Sequence, residues 1–134
     1  MIKFLALGDS YTIGTGASSP ERSWPAIVAA RLAEQTGGQV ELTNAAINGF
    51  TTQDLIEDEL PQVGRLEPDL ITILIGVNDL VRERTPEAYR TSLVRIYDVV
   101  ATEKPASGRV FAVSIPNWSI TFCASLRLPS DDVR

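Results

Sequence analysis

Four short apolar runs, Ile2 to Leu7, Val40 to Thr43, Asp69 to Ile75 and Arg109 to Ser114, alternate with segments whose apolar residues recur every three to four positions. That alternation predicts an α/β chain with a parallel sheet, because a parallel pair needs a long crossover and the crossover helix packs back over the sheet. Ile2 to Leu7 reads as a buried first strand, and Asp69 to Ile75, almost continuously apolar and β-branched, suits a central strand covered on both faces. Ser23 is placed to cap a helix that tolerates Pro25 in its first turn, carries Trp24, Ile27, Val28 and Leu32 on one face, and ends at Gly37-Gly38. Thr51 and Asp54 form a capping pair ahead of Leu55, Ile56 and Leu60, which predicts a short helix stopping near Pro61. Thr85-Pro86-Glu87 opens the clearest helix, with Tyr89, Leu93, Ile96, Tyr97 and Val100 at helical spacing up to Lys104-Pro105.

After Ile115-Pro116-Asn117-Trp118 the periodicity stops, and the chain runs out in Pro129-Ser130-Asp131-Asp132-Val133-Arg134. A doubly wound sheet with strand order 2-1-3-4-5 needs a further crossover and strand, which the sixteen residues after Trp118 are too few to supply. The expectation is one incomplete domain over 1–118, its last strand missing, followed by an aberrant tail over 119–134. The missing strand would leave an unpaired sheet edge, and with it a route to self-association.

Seventeen acidic against twelve basic residues give a net charge of −5, without a Lys/Arg run to meet a phosphate backbone, so no nucleic-acid partner is expected. No apolar run approaches the ~20 residues of a membrane span. Met1-Ile2-Lys3-Phe4 leads straight into the first strand without a leader pattern, so the expected location is cytoplasmic. A lone cysteine, Cys123, and no histidine leave no structural metal site, and Gly14-x-Gly16 lacks the rest of a phosphate loop, so no metal or cofactor is expected.

Three positions carry the chemistry. Ser10, in Leu7-Gly8-Asp9-Ser10, follows the first strand, where open α/β sheets present ligand-binding and nucleophilic groups; a serine that caps the next turn is the simpler reading of this residue alone. Gly49 precedes a helix, where its N–H can face an anionic oxygen, or it is a plain turn glycine. Asn78-Asp79 follows the third strand, where the pair reads as a helix N-cap before Leu80-Val81 or as a donor of the Asn78 amide to that same oxygen, and both roles can coexist, Asp79 capping while Asn78 donates.

Taken together, Gly8-Asp9-Ser10, the Asn44 to Thr52 segment around Gly49, and Gly76-Val77-Asn78-Asp79 resemble the SGNH, or GDSL, hydrolases over roughly residues 2 to 118. Tyr11 stands where the family name has Leu. The resemblance implies a flavodoxin-like three-layer sandwich and an esterase or acylhydrolase acting on a small-molecule ester or acylated substrate. It implies Ser10 as nucleophile, and the Ser10 N–H, Gly49 and Asn78 as the oxyanion hole, with no metal or cofactor. The family's Asp-x-x-His block has no counterpart. Arg134 stands three residues after Asp131, but an arginine stays protonated and cannot serve as base. The expected activity is therefore impaired, and a non-catalytic ligand-binding or interaction module derived from the same fold is the alternative. A nucleotide-binding domain is the weakest reading, for want of a phosphate loop.

Overall fold

The two most apolar runs take the middle of the sheet, and the two mixed ones take its edges. In the computed structural model, which describes residues 1–115, β1 (Ile2–Gly8) pairs in parallel with β2 (Val40–Asn44) on one side and β3 (Leu70–Leu74) on the other. β4 (Arg109–Ala112) pairs in parallel with β3, giving the order β2-β1-β3-β4. The chain thus moves outward from β1 to β2, crosses back over β1 to β3, and continues to β4. The switch point of this doubly wound sheet lies between β1 and β3. The segment expected as a tail, 119–134, with Asp131, Asp132 and Arg134, lies outside the described residues, as does the test for a fifth strand.

Alternate residues of each strand face opposite layers. Leu5, Leu7, Ile71 and Ile73 pack with Leu55, Leu60, Val63, Ile96 and Val100 on one face, while Phe4 and Ala6 pack with Ala29, Trp24 and Leu42 on the other. Each fully buried Leu or Ile contributes roughly 1.5–3 kcal/mol, so the first layer supplies most of the burial. The helices are α1 (Ser10–Ile13), α2 (Trp24–Thr36), α3 (Thr52–Asp54), α4 (Pro61–Leu66), α5 (Val77–Val81) and α6 (Pro86–Glu103), with a π-helical stretch, Leu55–Glu59, between α3 and α4.

Several local expectations change. Ser23 precedes α2 but makes no side-chain cap; its hydroxyl donates to Pro20 O at 2.9 Å. The buried residues of α2 are Pro25 and Ala29, with Trp24 packed against the same cluster, while Ile27 and Val28 face solvent. Pro61 does not stop the second crossover: it opens α4, where its missing N–H costs nothing. The Thr51–Asp54 pair is a complete capping box, and α2 ends at Gly37 in the left-handed conformation. β4 is shorter than expected, and its Phe111 is 57% exposed.

Candidate active site

β1 ends in a turn that has little room to vary. A Cβ on Gly8 would fall on the Thr12 side chain and lie 2.6 Å from Leu74 O, so only glycine lets β1 pass this close to β3. Asp9 then caps α1, its Oδ1 accepting from Tyr11 N at 3.0 Å, while its carbonyl accepts from the N–H groups of Thr12 and Ile13, both at 3.0 Å. Ser10 is the first residue of this helix and is half-buried. Burial pushes the Asp9 carboxyl above its ordinary range, with the Tyr11 N–H opposing and Asp79 adding a smaller upward push.

The loop after β2 is laced to this turn. Asn44 Nδ2 donates to Thr12 O at 2.8 Å, Ile47 N donates to Gly8 O at 3.4 Å, and the Thr15 hydroxyl donates to Asn48 Oδ1. A tight turn closed by Phe50 N to Ile47 O at 3.3 Å puts Gly49 at φ +79°, which glycine adopts without strain. From the β3 side, Asn78 in α5 donates its Nδ2 to Phe50 O at 2.9 Å, which leaves one amide hydrogen for a ligand. Ser10, Gly49 and Asn78 thus follow the C-terminal ends of three neighbouring strands, and hydrogen bonds join the segments that carry them.

Asp79 plays a different part from the one its position suggests. It lies inside α5, whose N-cap is Gly76, and instead of capping that helix it caps the start of α3. Its Oδ2 accepts from Thr52 N at 2.9 Å and its Oδ1 from the Thr52 hydroxyl at 2.6 Å. Arg84 Nη1 completes the cluster at 2.7 Å from Asp79 Oδ1 and 2.8 Å from the Thr52 hydroxyl, and Nη2 reaches the Ser92 hydroxyl at 3.3 Å. This ties α3, α5 and α6 together under Asn78. Arg84 and Ser92 carried no signal in the sequence, since helical spacing puts Ser92 among core positions without explaining a hydroxyl there.

Glu59 is the second group the sequence concealed. The π-helical stretch turns it inward, fully buried, where Oε1 accepts from Gly8 N at 2.8 Å and Oε2 has no partner among the described residues. Its pKa is pushed up to about 8, first by burial, with the Gly8 N–H opposing and Asp9 and Asp58 adding to the rise. In the sequence it reads as one more acid in an acidic helix, and the π-bulge that buries it has no local signature.

A cleft of about 460 Å³ opens behind this site, between α6 and the ends of β3 and β4, lined among others by Ile75, Leu80, Tyr89, Tyr97 and Ile115. It does not include Ser10 or Gly49. Among the described residues, no group of three His, Cys, Asp or Glu side chains is placed to hold a metal, and no helix is long and apolar enough to cross a membrane.

A family model described as the GDSL-like lipase/acylhydrolase family matches residues 6–132. A GDSL-like esterase of Mycobacterium tuberculosis is 29% identical over 137 aligned residues, covering 95% of this chain and 43% of that protein. An arylesterase of Vibrio mimicus is 34% identical over 100 residues, covering 73% of this chain and 48% of its own. The chain therefore spans less than half the length of these two relatives. Among solved structures, a Clostridium thermocellum family 3 carbohydrate esterase superposes with a TM-score of 0.72 at 21% identity, over 94% of this chain and 66% of that one, a likeness of fold.

Proposed function

Since the chain belongs to the GDSL-like lipase/acylhydrolase family, we propose that its site is built to cleave a small-molecule carboxylic ester, thioester or acetyl group through an acyl-enzyme on Ser10. The observation that carries this reading is the position of Ser10, Gly49 and Asn78 at the ends of adjacent strands, joined by the Asn44, Ile47 and Asn78 hydrogen bonds. Ser10 Oγ attacks the carbonyl carbon, and the carbonyl π electrons move onto oxygen. That oxygen is received by the N–H groups of Ser10 and Gly49 and by the remaining Asn78 amide hydrogen. Each donor of this kind is worth about 100- to 1,000-fold in rate. The negative charge is then expelled with the alcohol or thiol, and water releases the acyl group.

The proton leaving Ser10 Oγ needs an acceptor, and the 134 residues contain no histidine. Asp79 is committed to Thr52 and Arg84, and Asp9 is buried beneath the turn. In a serine protease, loss of the base lowers turnover by about a million-fold, while the oxyanion hole and binding alone retain roughly 1,000- to 10,000-fold over water. The 134-residue chain is accordingly a near-inert acylhydrolase. The missing histidine also favours a second reading, a module that binds acyl compounds without turning them over.

The test is hydrolysis of short p-nitrophenyl esters. The chain is expected to be no faster than its Ser10→Ala variant. Grafting the C-terminal part of a longer relative, with a strand and an Asp-x-x-His loop, is expected to restore a Ser10-dependent rate. Fast Ser10-dependent turnover by the ungrafted chain would mean another group supplies the base. A grafted chain whose turnover survives Ser10→Ala would remove Ser10 as nucleophile.

A further inference from the structure

Two arginines leave the loop after α5, and only one of them is used by the fold. Arg84 is held at 2.7 Å by Asp79 and bonded to Thr52 and Ser92, so its charge is neutralised within the protein. Arg82 is different. Its closest anion is Asp54 Oδ2 at 3.8 Å, beyond hydrogen-bond distance, and that oxygen already accepts from Thr51 N at 2.9 Å and the Thr51 hydroxyl at 3.0 Å. The Arg82 side chain is 57% exposed, and none of its five N–H groups meets an acceptor among the described residues.

Its placement follows from the helix. Arg82 comes four residues after Asn78 and donates its backbone N–H to Asn78 O at 3.0 Å, so the two side chains share one face of α5. Both reach the Ile47–Phe50 turn: Asn78 Nδ2 bonds Phe50 O, and Arg82 Nη2 lies 3.5 Å from where a Cβ on Gly49 would sit. A solvated, weakly paired guanidinium thus stands beside two of the three oxyanion donors. An isolated surface ion pair such as that with Asp54 is worth about 0–1 kcal/mol, so a better-placed carboxylate displaces it at little cost.

We propose that Arg82 is a specificity-determining residue that selects substrates carrying a carboxylate near the scissile ester. The planar guanidinium fork matches a carboxylate with two parallel hydrogen bonds, which no neutral ester offers. Because the chain as a whole carries a net charge of −5, this local cation has to act against the general repulsion of anions, and salt weakens both.

The inference rests on the oxyanion reading of Ser10, Gly49 and Asn78, and the experiment separates the two. Phenylboronic acid and its meta-carboxy derivative, both able to form a tetrahedral adduct on serine, are titrated into the full chain and into Ser10→Ala, Arg82→Gln and Arg82→Lys, with affinity read by calorimetry at low and high salt. The full chain is expected to prefer the carboxylate probe by roughly fivefold at low salt, the upper range for a part-exposed charge pair. Arg82→Gln is expected to remove that preference, Arg82→Lys to keep part of it, and Ser10→Ala to lose both probes. Ser10-dependent binding of the neutral probe with no carboxylate preference, or a preference unchanged in Arg82→Gln, overturns the role of Arg82 and leaves the oxyanion reading standing. Absence of Ser10-dependent binding for either probe overturns that reading and this one with it.

Discussion

Asp79 and Glu59 are both carboxyl groups shielded from water beneath the same site, and the fold deals with them in opposite ways. Asp79 uses both oxygens, taking two hydrogen bonds from Thr52 and a short ion pair from Arg84. Glu59 has a single bond, from Gly8 N, and an oxygen with no partner among the described residues. The difference teaches that burial alone does not decide the state of a carboxyl group. Asp79 has a hydrogen-bond or ion-pair partner on each oxygen, whereas for Glu59 one N–H donor does not offset desolvation, and its pKa is pushed up to about 8.

Breaking the paired side is expected to have the largest effect. Asp79→Ala strands the partly buried Arg84 and unbonds Thr52, and is expected to cost about 3 kcal/mol, the lower end for a broken buried pair. Urea unfolding measures it. A double variant, Asp79→Ala with Arg84→Met, should recover part of the loss, because the uncompensated charge goes with it. A double variant as unstable as Asp79→Ala alone would mean that helix capping, not charge, dominates.

The unpaired side is sharpened by pH. Glu59 titrates at about 8 in the folded chain against an ordinary 4.5, so the folded state holds the proton more tightly. Its contribution to stability is therefore greatest below about pH 4.5, falls as pH rises toward 8, and is level above that. Glu59→Gln keeps an acceptor for Gly8 N and cannot ionise; it is expected to flatten this slope and to be of order 2 kcal/mol more stable than the parent at pH 8. Chemical denaturation at pH 5 and pH 8 reads the effect, and an unchanged slope in Glu59→Gln would assign the pH dependence elsewhere. The smallest effect belongs to Thr52→Val, which removes one hydroxyl from the Asp79 cluster while keeping its N–H, at about 1 kcal/mol by the same measurement.

Much of the architecture is legible in the residue pattern. The apolar continuity of Ile2 to Leu7 and Asp69 to Ile75 marks the two central strands, and Thr51 with Asp54 marks a helix start that the structure reproduces as a full capping box. Ser10, Gly49 and Asn78 are legible as three ordered blocks at strand ends. The failures share one cause. Ile27 and Val28 look like the core face of α2, but the helix approaches the sheet through Pro25 and Ala29. Asp79 looks like the cap of its own helix and caps another. Pro61 looks like a stop and serves as a start.

What the sequence determined by itself was therefore the four strands, the helices that follow Ser23, Thr51 and Thr85, the parallel layered class and the family, because these are written in periodicity and in short motifs. The tertiary structure alone decided which polar groups meet. Glu59 finds Gly8 fifty-one positions away, Asp79 finds Thr52 twenty-seven positions away, and Arg82 rather than Arg84 is left uncommitted beside Gly49. The physical reason is that a hydrogen bond or ion pair depends on distances of a few ångströms between segments, set by how the layers pack, and no local pattern along the chain encodes those distances.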